Sequence, residues 1–259
     1  MKSHKRLLLL CGMIVLQLCL PAHAIVNVEQ AIIGKPAEGV NTTVDLLVNG
    51  ASGNVEKNAS RAEVLSFWQH AQYTEYLQLQ YAYGKSNGKV DTDRAFAHLR
   101  HRTDISPAWG VEAYAQAGKD PFARLAQRIL LGGGVRSVLF EEERRSAGYL
   151  GLGAFHERET LNSKLGTTDA LHVKVWRANA YLVLKYQFNE QIRLYNTAYY
   201  QPTFGDSRDY RVLDQVSMLV KLGEDLDLRI SLDIAFDSRP PQGVEKRDML
   251  YSTGLKYSF

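Results

Sequence analysis

The fold class this sequence predicts is all-β: an antiparallel transmembrane β-barrel of about 12 strands, with short periplasmic turns and longer extracellular loops. Three observations carry it. Apolar residues recur with period two over segments of 10 to 13 residues, the length of a tilted membrane-crossing strand, whereas strands of soluble proteins cluster near about 5–6. The connections between segments alternate, short then long. The face opposite the apolar one is charged in segment after segment, so it does not suit a dry core.

The 259-residue chain opens on a leader. Met1 to Arg6 is basic, Leu7 to Leu20 is apolar, and Pro21-Ala22-His23-Ala24 ends in a small-x-small site. That is the pattern of a cleaved secretory signal over residues 1–24. The apolar run is shorter than the roughly 20 residues of a membrane-spanning helix. Cys11 and Cys19 leave with the leader, so residues 25–259 hold no disulfide and no thiol nucleophile. The leader also takes three of the 31 cations, which leaves 28 Lys+Arg against 28 Asp+Glu. A neutral chain lacks the basic excess that nucleic-acid binding needs. Residues 25–39 read as a periplasmic segment, because Pro36 does not suit a paired strand, and residues 40–259 read as the barrel.

In order, the segments fall at 40–50, 60–70, 73–84, 92–102, 107–117, 124–136, 146–156, 175–188, 191–202, 209–222, 225–237 and 247–259. The eleventh is the cleanest: Leu226, Leu228, Ile230, Leu232, Ile234 and Phe236 share one face, and Asp227, Arg229, Ser231, Asp233 and Ala235 the other. Short turns are expected near Ala71-Gln72, Asp104-Ile105-Ser106, Glu190 and Gly223-Glu224. Longer polar loops are expected at Ala51–Ser60, Lys85–Val90, His156–Lys174, Gln201–Arg208 and Ser238–Lys246. An even strand count puts both barrel ends on the short-turn, periplasmic side. In lipid every backbone N–H and C=O must be paired, so the last strand is expected to close on the first near Val44-Asp45-Leu46.

The charges fix which face is inside. Arg94, Arg100, Glu112, Arg124, Arg128, Arg177, Arg193, Arg229 and Asp233 lie on the minor faces and are the candidates to line a lumen. Burying so many ions in a soluble core would cost several kcal/mol per unpaired charge. Aromatics sit near segment ends on the apolar faces, at Trp109, Trp176, Tyr186, Phe188, Tyr200, Phe236, Tyr257 and Phe259, as interfacial girdles require. The arginines of strands four, six, eight and nine, set against Asp225, Asp227, Asp233 and Asp237 of strand eleven, suggest a basic wall facing an acidic one. The alternative is a ladder of ion pairs that fills the barrel.

Several short blocks, in order and at matching spacing, resemble one family. They are Glu38-Gly39, Val44–Val48 and Ser52-Gly53-Asn54, then Asp93-Arg94, Leu99-Arg100 and Ser106-Pro107-Ala108-Trp109. Arg124, Arg128, Gly132-Gly133-Gly134, Gly151, Gly153 and Glu157 follow. Over 38–259 the chain is similar to the salt-induced outer-membrane proteins, a bacterial domain of unknown function. The resemblance implies an outer-membrane barrel and brings no activity. The last strand, with Leu255, Tyr257 and Phe259 on one face, resembles the aromatic carboxy-terminal signal of outer-membrane barrels in general, which implies that the barrel-assembly machinery reads it. Outer-membrane lipid and lipopolysaccharide are the other expected partners.

No metal, cofactor or catalytic set is indicated. His98 and His101, three apart on a strand, face opposite sides. His156 and Glu157 do the same, and Ser106 falls in a turn. The glycine run at 132–134 has no Lys-Ser/Thr after it, so it is not a phosphate loop. It suits a bend or a wall over which Tyr149 or Tyr181 lies. The function expected is a narrow charge-lined pore for ions or small solutes, with Arg124 and Arg128 setting selectivity. The alternative is a closed structural or binding barrel that meets lipopolysaccharide or a partner through the loops at Glu157–Lys174 and Pro240-Pro241. A lipid-acting enzyme using His156 ranks last.

Overall fold

The computed structural model describes residues 38–53, 56–142, 145–223 and 226–257. The leader, the segment before residue 38 and Phe259 lie outside these residues, as do the side chains of Leu255 and Tyr257. Twelve strands follow one another: β1 (Gly39–Ala51), β2 (Lys57–His70), β3 (Tyr73–Ser86), β4 (Lys89–Asp104), β5 (Trp109–Asp120) and β6 (Leu125–Glu142). Then come β7 (Ser146–Leu161), β8 (His172–Gln187), β9 (Ile192–Pro202), β10 (Tyr210–Lys221), β11 (Leu226–Asp237) and β12 (Arg247–Tyr257). Each is antiparallel to its sequence neighbours in a single sheet.

The sheet curls into a barrel. Arg124, between β5 and β6, donates to the carbonyl of Gln242, between β11 and β12, at 2.8 Å. Six strands on a flat sheet would separate those connections by about 29 Å. Among the described residues no ladder joins β12 to β1, so the seam expected at Val44–Leu46 is not made here.

The faces are inside out relative to a soluble barrel. Leu77, Leu79, Leu99, Val111, Ile129, Leu131, Leu152, Ile230 and Leu232 point outward and are exposed, a belt of the kind that acyl chains cover. Outward aromatics cluster at two levels. Trp68, Trp109, Tyr186 and Phe188 lie by the short turns. Trp176, Tyr200, Tyr210 and Phe236 lie by the longer connections, where Tyr210 contacts Tyr200 and Phe236 at ring separations of 5.7 and 5.6 Å.

Several expected boundaries move because polar residues continue the ladder. The loop expected at Lys85–Val90 is only the turn Asn87-Gly88, both at positive φ (50° and 76°), the backbone of a tight hairpin. β6 runs on to Glu142, and the charged residues Glu141 and Glu142 pair with Ala147 and Ser146. The loop expected at His156–Lys174 shrinks to 162–171, which places His156 and His172 in strands. The longest connections follow β7, β9 and β11, at 162–171, 203–209 and 238–246.

The packed interior depends on a glycine groove. Gly132 and Gly134 on β6 and Gly151 and Gly153 on β7 all face inward. A Cβ on Gly151 would sit 2.0 Å from Cε1 of Tyr181, so Tyr181 lies flat on the wall where a side chain would otherwise stand. Its ring joins an inward apolar cluster with Tyr149, Val183, Tyr199, Leu213 and Ala235. From the sequence, Tyr149 and Tyr181 were both open as occupants of this wall, and Tyr181 is the one over Gly151. Gly151→Ala is expected to displace Tyr181 and lower stability by about 1–3 kcal/mol, as overpacking does. Urea unfolding of the refolded chain measures this; an unchanged midpoint would show that Tyr181 does not need the groove.

Candidate functional site

The inward face carries an ordered set of ion pairs. At the waist, Arg100 on β4 donates to Glu112 on β5 at 3.1 Å, and both are buried. The Tyr181 hydroxyl crosses from β8 over the glycines to the same carboxylate, 3.0 Å from each oxygen. The Arg100 guanidinium sits over Tyr114 and Tyr181, 5.4 and 5.9 Å from their ring centres. The glycine groove thus lets a phenol reach across two strands to a buried carboxylate.

Nearer the long loops the hub is Glu157 on β7, only 1% exposed. It meets Arg128 at 3.2 Å, Arg177 at 3.2 Å and Arg211 at 2.8 Å. Glu159, two residues on and so on the same face, binds Arg128 and also Arg211, the latter at 3.0 Å. Arg211 goes on to Asp237 at 2.9 Å and Arg177 to Asp209 at 3.0 Å. Flanking pairs are Arg94–Asp120 at 2.7 Å and Arg193–Asp227 at 2.7 Å. A lone ion in this setting would cost several kcal/mol, and in this network each guanidinium stands against at least one carboxylate.

Among the described residues, which do not include Asp225, the wall-against-wall arrangement suggested by the sequence is not what forms. The main acidic partners come from β5 and β7 and lie between the arginines, so charges alternate around the wall. Of the residues expected to line a lumen, Arg94, Arg100, Glu112, Arg128, Arg177 and Arg193 face inward in these pairs. Arg229 is exposed and donates to Ser231 at 3.1 Å, and Asp233 is half-buried on the same face of β11. Arg124 is different. It follows the 3-10 turn Pro121–Ala123 in a left-handed conformation and belongs to a connection rather than a strand. Leu255 and Tyr257 are placed by backbone register alone, opposite Leu228 and Leu226.

Arg124 is a latch at the barrel rim. It donates to Asp169 at 2.5 Å, Thr167 at 3.1 Å, the Asn162 carbonyl at 3.2 Å and the Gln242 carbonyl at 2.8 Å. Gln242 in turn donates from its backbone to Asp169 at 3.1 Å and from its side chain to Thr168 at 3.0 Å. Loops 162–171 and 238–246 are thereby tied together and to the β5–β6 connection, on the opposite side of the barrel from β11 and β12. Asp169 is held below the usual carboxylate range, chiefly by the Arg124 hydrogen bond. Asp206 in loop 203–209 is lowered to about 2 by hydrogen bonds from Arg208 and Arg239.

Glu159, Arg211, Asp169 and Asp237 complete the site, and only Asp237 was singled out beforehand. Alternation could have found Glu159, which shares its face with Glu157. Arg211 and Asp169 gave no local signal, since their partners are distant in sequence. The histidines do not converge on a nucleophile. His98 is buried inside beside Gln116, and His101 is outside, 2.6 Å from Glu75. His156 packs against Trp176, the rings tilted at 57° with a separation of 5.3 Å, while Glu157 points inward. Ser106 accepts from the backbone N–H of Ala108 and Trp109 in its turn.

A family model described as a protein of unknown function, DUF481, matches residues 44–259. No curated protein is similar in sequence. Among solved structures, the NanC porin aligns over 84% of this chain and 99% of its own, at 10% identity and a TM-score of 0.48. The translocator domain of the autotransporter NalP from Neisseria meningitidis aligns over 89% and 92%, at 14% identity and a TM-score of 0.48. The CymD monoaromatic hydrocarbon channel aligns over 93% and 86%, at 11% identity and a TM-score of 0.43.

Two outcomes are expected from these contacts. Glu157→Gln leaves the guanidiniums of Arg128, Arg177 and Arg211, the last two buried, short of charge and should cost about 3–5 kcal/mol in urea unfolding, while Glu75→Gln at the exposed His101 pair should cost under about 1 kcal/mol. Equal effects would mean that the interior is wet enough to screen the hub. For the loops, a carboxylate whose pKa is depressed on folding contributes order above its ordinary value of 3.8, and that order is lost as pH falls through about 2. Asp169 shifts the same way. The Gln242 amide, which donates to Asp169, should therefore keep its hydrogen-exchange protection at neutral pH and lose it as acid protonates that carboxylate. The same protection in an Asp169→Asn variant at every pH would break the link to Asp169.

Proposed function

We propose that this chain, which belongs to the DUF481 family, is an outer-membrane barrel with a narrow, charge-lined lumen that passes ions or small solutes. The observation that carries the reading is where water still reaches the inward charges. At the waist and at the Glu157 hub the inward ions Arg100, Glu112, Glu157 and Arg177 are buried and paired, so the lumen is filled at those levels on β4, β5, β7 and β8. Arg61 on β2, with its side chain 39% exposed, Arg193 on β9, 31% exposed, and Arg229 on β11 stay in contact with water. A passage, on this reading, runs beside those strands. Paired walls give it only a weak preference for sign, since a fixed field needs unbalanced charge.

Outer-membrane placement is supported by strands of 11 to 18 residues, the outward apolar belt and the two aromatic levels. Lipopolysaccharide at the long-loop rim and the assembly machinery at the carboxy-terminal strand are the partners this placement proposes. A second reading, a closed barrel that works through its loops, is favoured by the latch at Arg124, which ties two loops together.

Single-channel recording of the refolded chain in a planar bilayer, under a salt gradient, tests the first reading. Small discrete steps with a weak ion preference are expected. Arg229→Ser should shift the reversal potential toward cations, whereas Arg100→Ser should act mainly on stability. Arg124→Ser should release the loops and raise the open fraction. A folded barrel that stays silent with and without Arg124→Ser would favour the closed reading.

A further inference from the structure

We infer that the short-turn end of the barrel holds a binding site for a small oxyanion, a carboxylate or phosphate. A cavity of about 490 Å³ opens there, within the size range of small-molecule sites. Arg102 on β4 and Arg136 on β6 both line it, 7% and 5% exposed. They flank β5, where Gly110 stands opposite Arg136 and beside Asp104. A Cβ at Gly110 would lie 3.2 Å from the Asp104 carboxylate and 3.7 Å from Cγ of Arg102, so the glycine keeps the floor between the two guanidiniums low.

Arg102 is under-satisfied. Its Nη2 reaches Thr74 at 3.3 Å, and its Nε lies 3.2 Å from Asp104 without making a hydrogen bond to any group. A buried N–H with no acceptor costs on the order of 1–3 kcal/mol, which an incoming oxyanion would offset. Arg136 has its guanidinium over the Tyr149 ring, 4.2 Å from the centre, so the ring fixes its plane toward the cavity. Two acids share the lining: Asp104, 3.2 Å from the Arg102 Nε, and the exposed Glu141, which accepts from the Tyr149 hydroxyl at 3.3 Å. A planar carboxylate or a phosphate suits two guanidiniums because each presents a fork of N–H donors. The site stands on this geometry and does not require the barrel to conduct.

The test is titration calorimetry of the refolded full chain in a detergent free of phospholipid, with inorganic phosphate and, separately, with acetate. Saturable binding of at least one anion is expected. Arg102→Gln and Arg136→Gln should each weaken it by about tenfold or more, while Asp206→Asn at the far end should leave it unchanged. If Arg102→Gln does not fold, Arg136→Gln carries the test alone. Absence of saturable binding with both anions, or binding that neither arginine substitution weakens, would overturn the proposal.

Discussion

The constraint on which the rest depends is that charge enclosed by a low-dielectric wall must be neutralised where it stands. The interior meets it with multiply shared partners. Glu157 serves three arginines, and Arg211 serves three carboxylates. Sharing sets the spacing of strands β6 to β11 relative to one another, because a guanidinium fork tolerates little displacement. It also explains the glycines. Tyr181 reaches Glu112 by lying where a Cβ of Gly151 would stand, so that glycine is part of the electrostatic solution as much as of the packing, while a Cβ at Gly134 or Gly153 would meet the backbone of the adjacent strand.

The two ends of the barrel use charge differently. At the long-loop end Arg124 meets acceptors from two loops and is saturated, so its role is mechanical. At the short-turn end Arg102 is buried with contacts at the limit of hydrogen-bond length. One arginine holds the chain to itself, and the other retains capacity for something from outside. Both are buried, so burial alone does not separate a structural arginine from a receptive one; the inventory of acceptors does.

Much of the fold was legible because period-two alternation is a local signal. The pattern at Leu226–Phe236 and at Trp176–Phe188 placed the inward and outward faces correctly, including Arg177, Asn179 and Tyr181. The errors lie where polar residues continue a ladder. Asn87-Gly88 is the strongest short hairpin signal a sequence carries, yet its polar neighbours made it read as part of a longer loop. The ion pairs were half legible. Alternation identifies which charges face inward, but the choice of partner depends on register and on how far a side chain reaches across strands. Arg211 and Glu157 are 54 residues apart and skip two strands, which no local pattern encodes.

Every backbone ladder described here joins strands that are adjacent in sequence. The sheet therefore has a low contact order for an all-β chain, and it can grow one hairpin at a time without searching for remote partners. The long-range links are of a different kind: the Arg211–Glu157 pair and the Arg124–Gln242 bond, the latter spanning 118 residues. They have no geometry to satisfy until the hairpins have been laid down and the sheet has curled. In kinetic terms they belong to the final step, so the rim latch doubles as a molecular record that the barrel has finished folding.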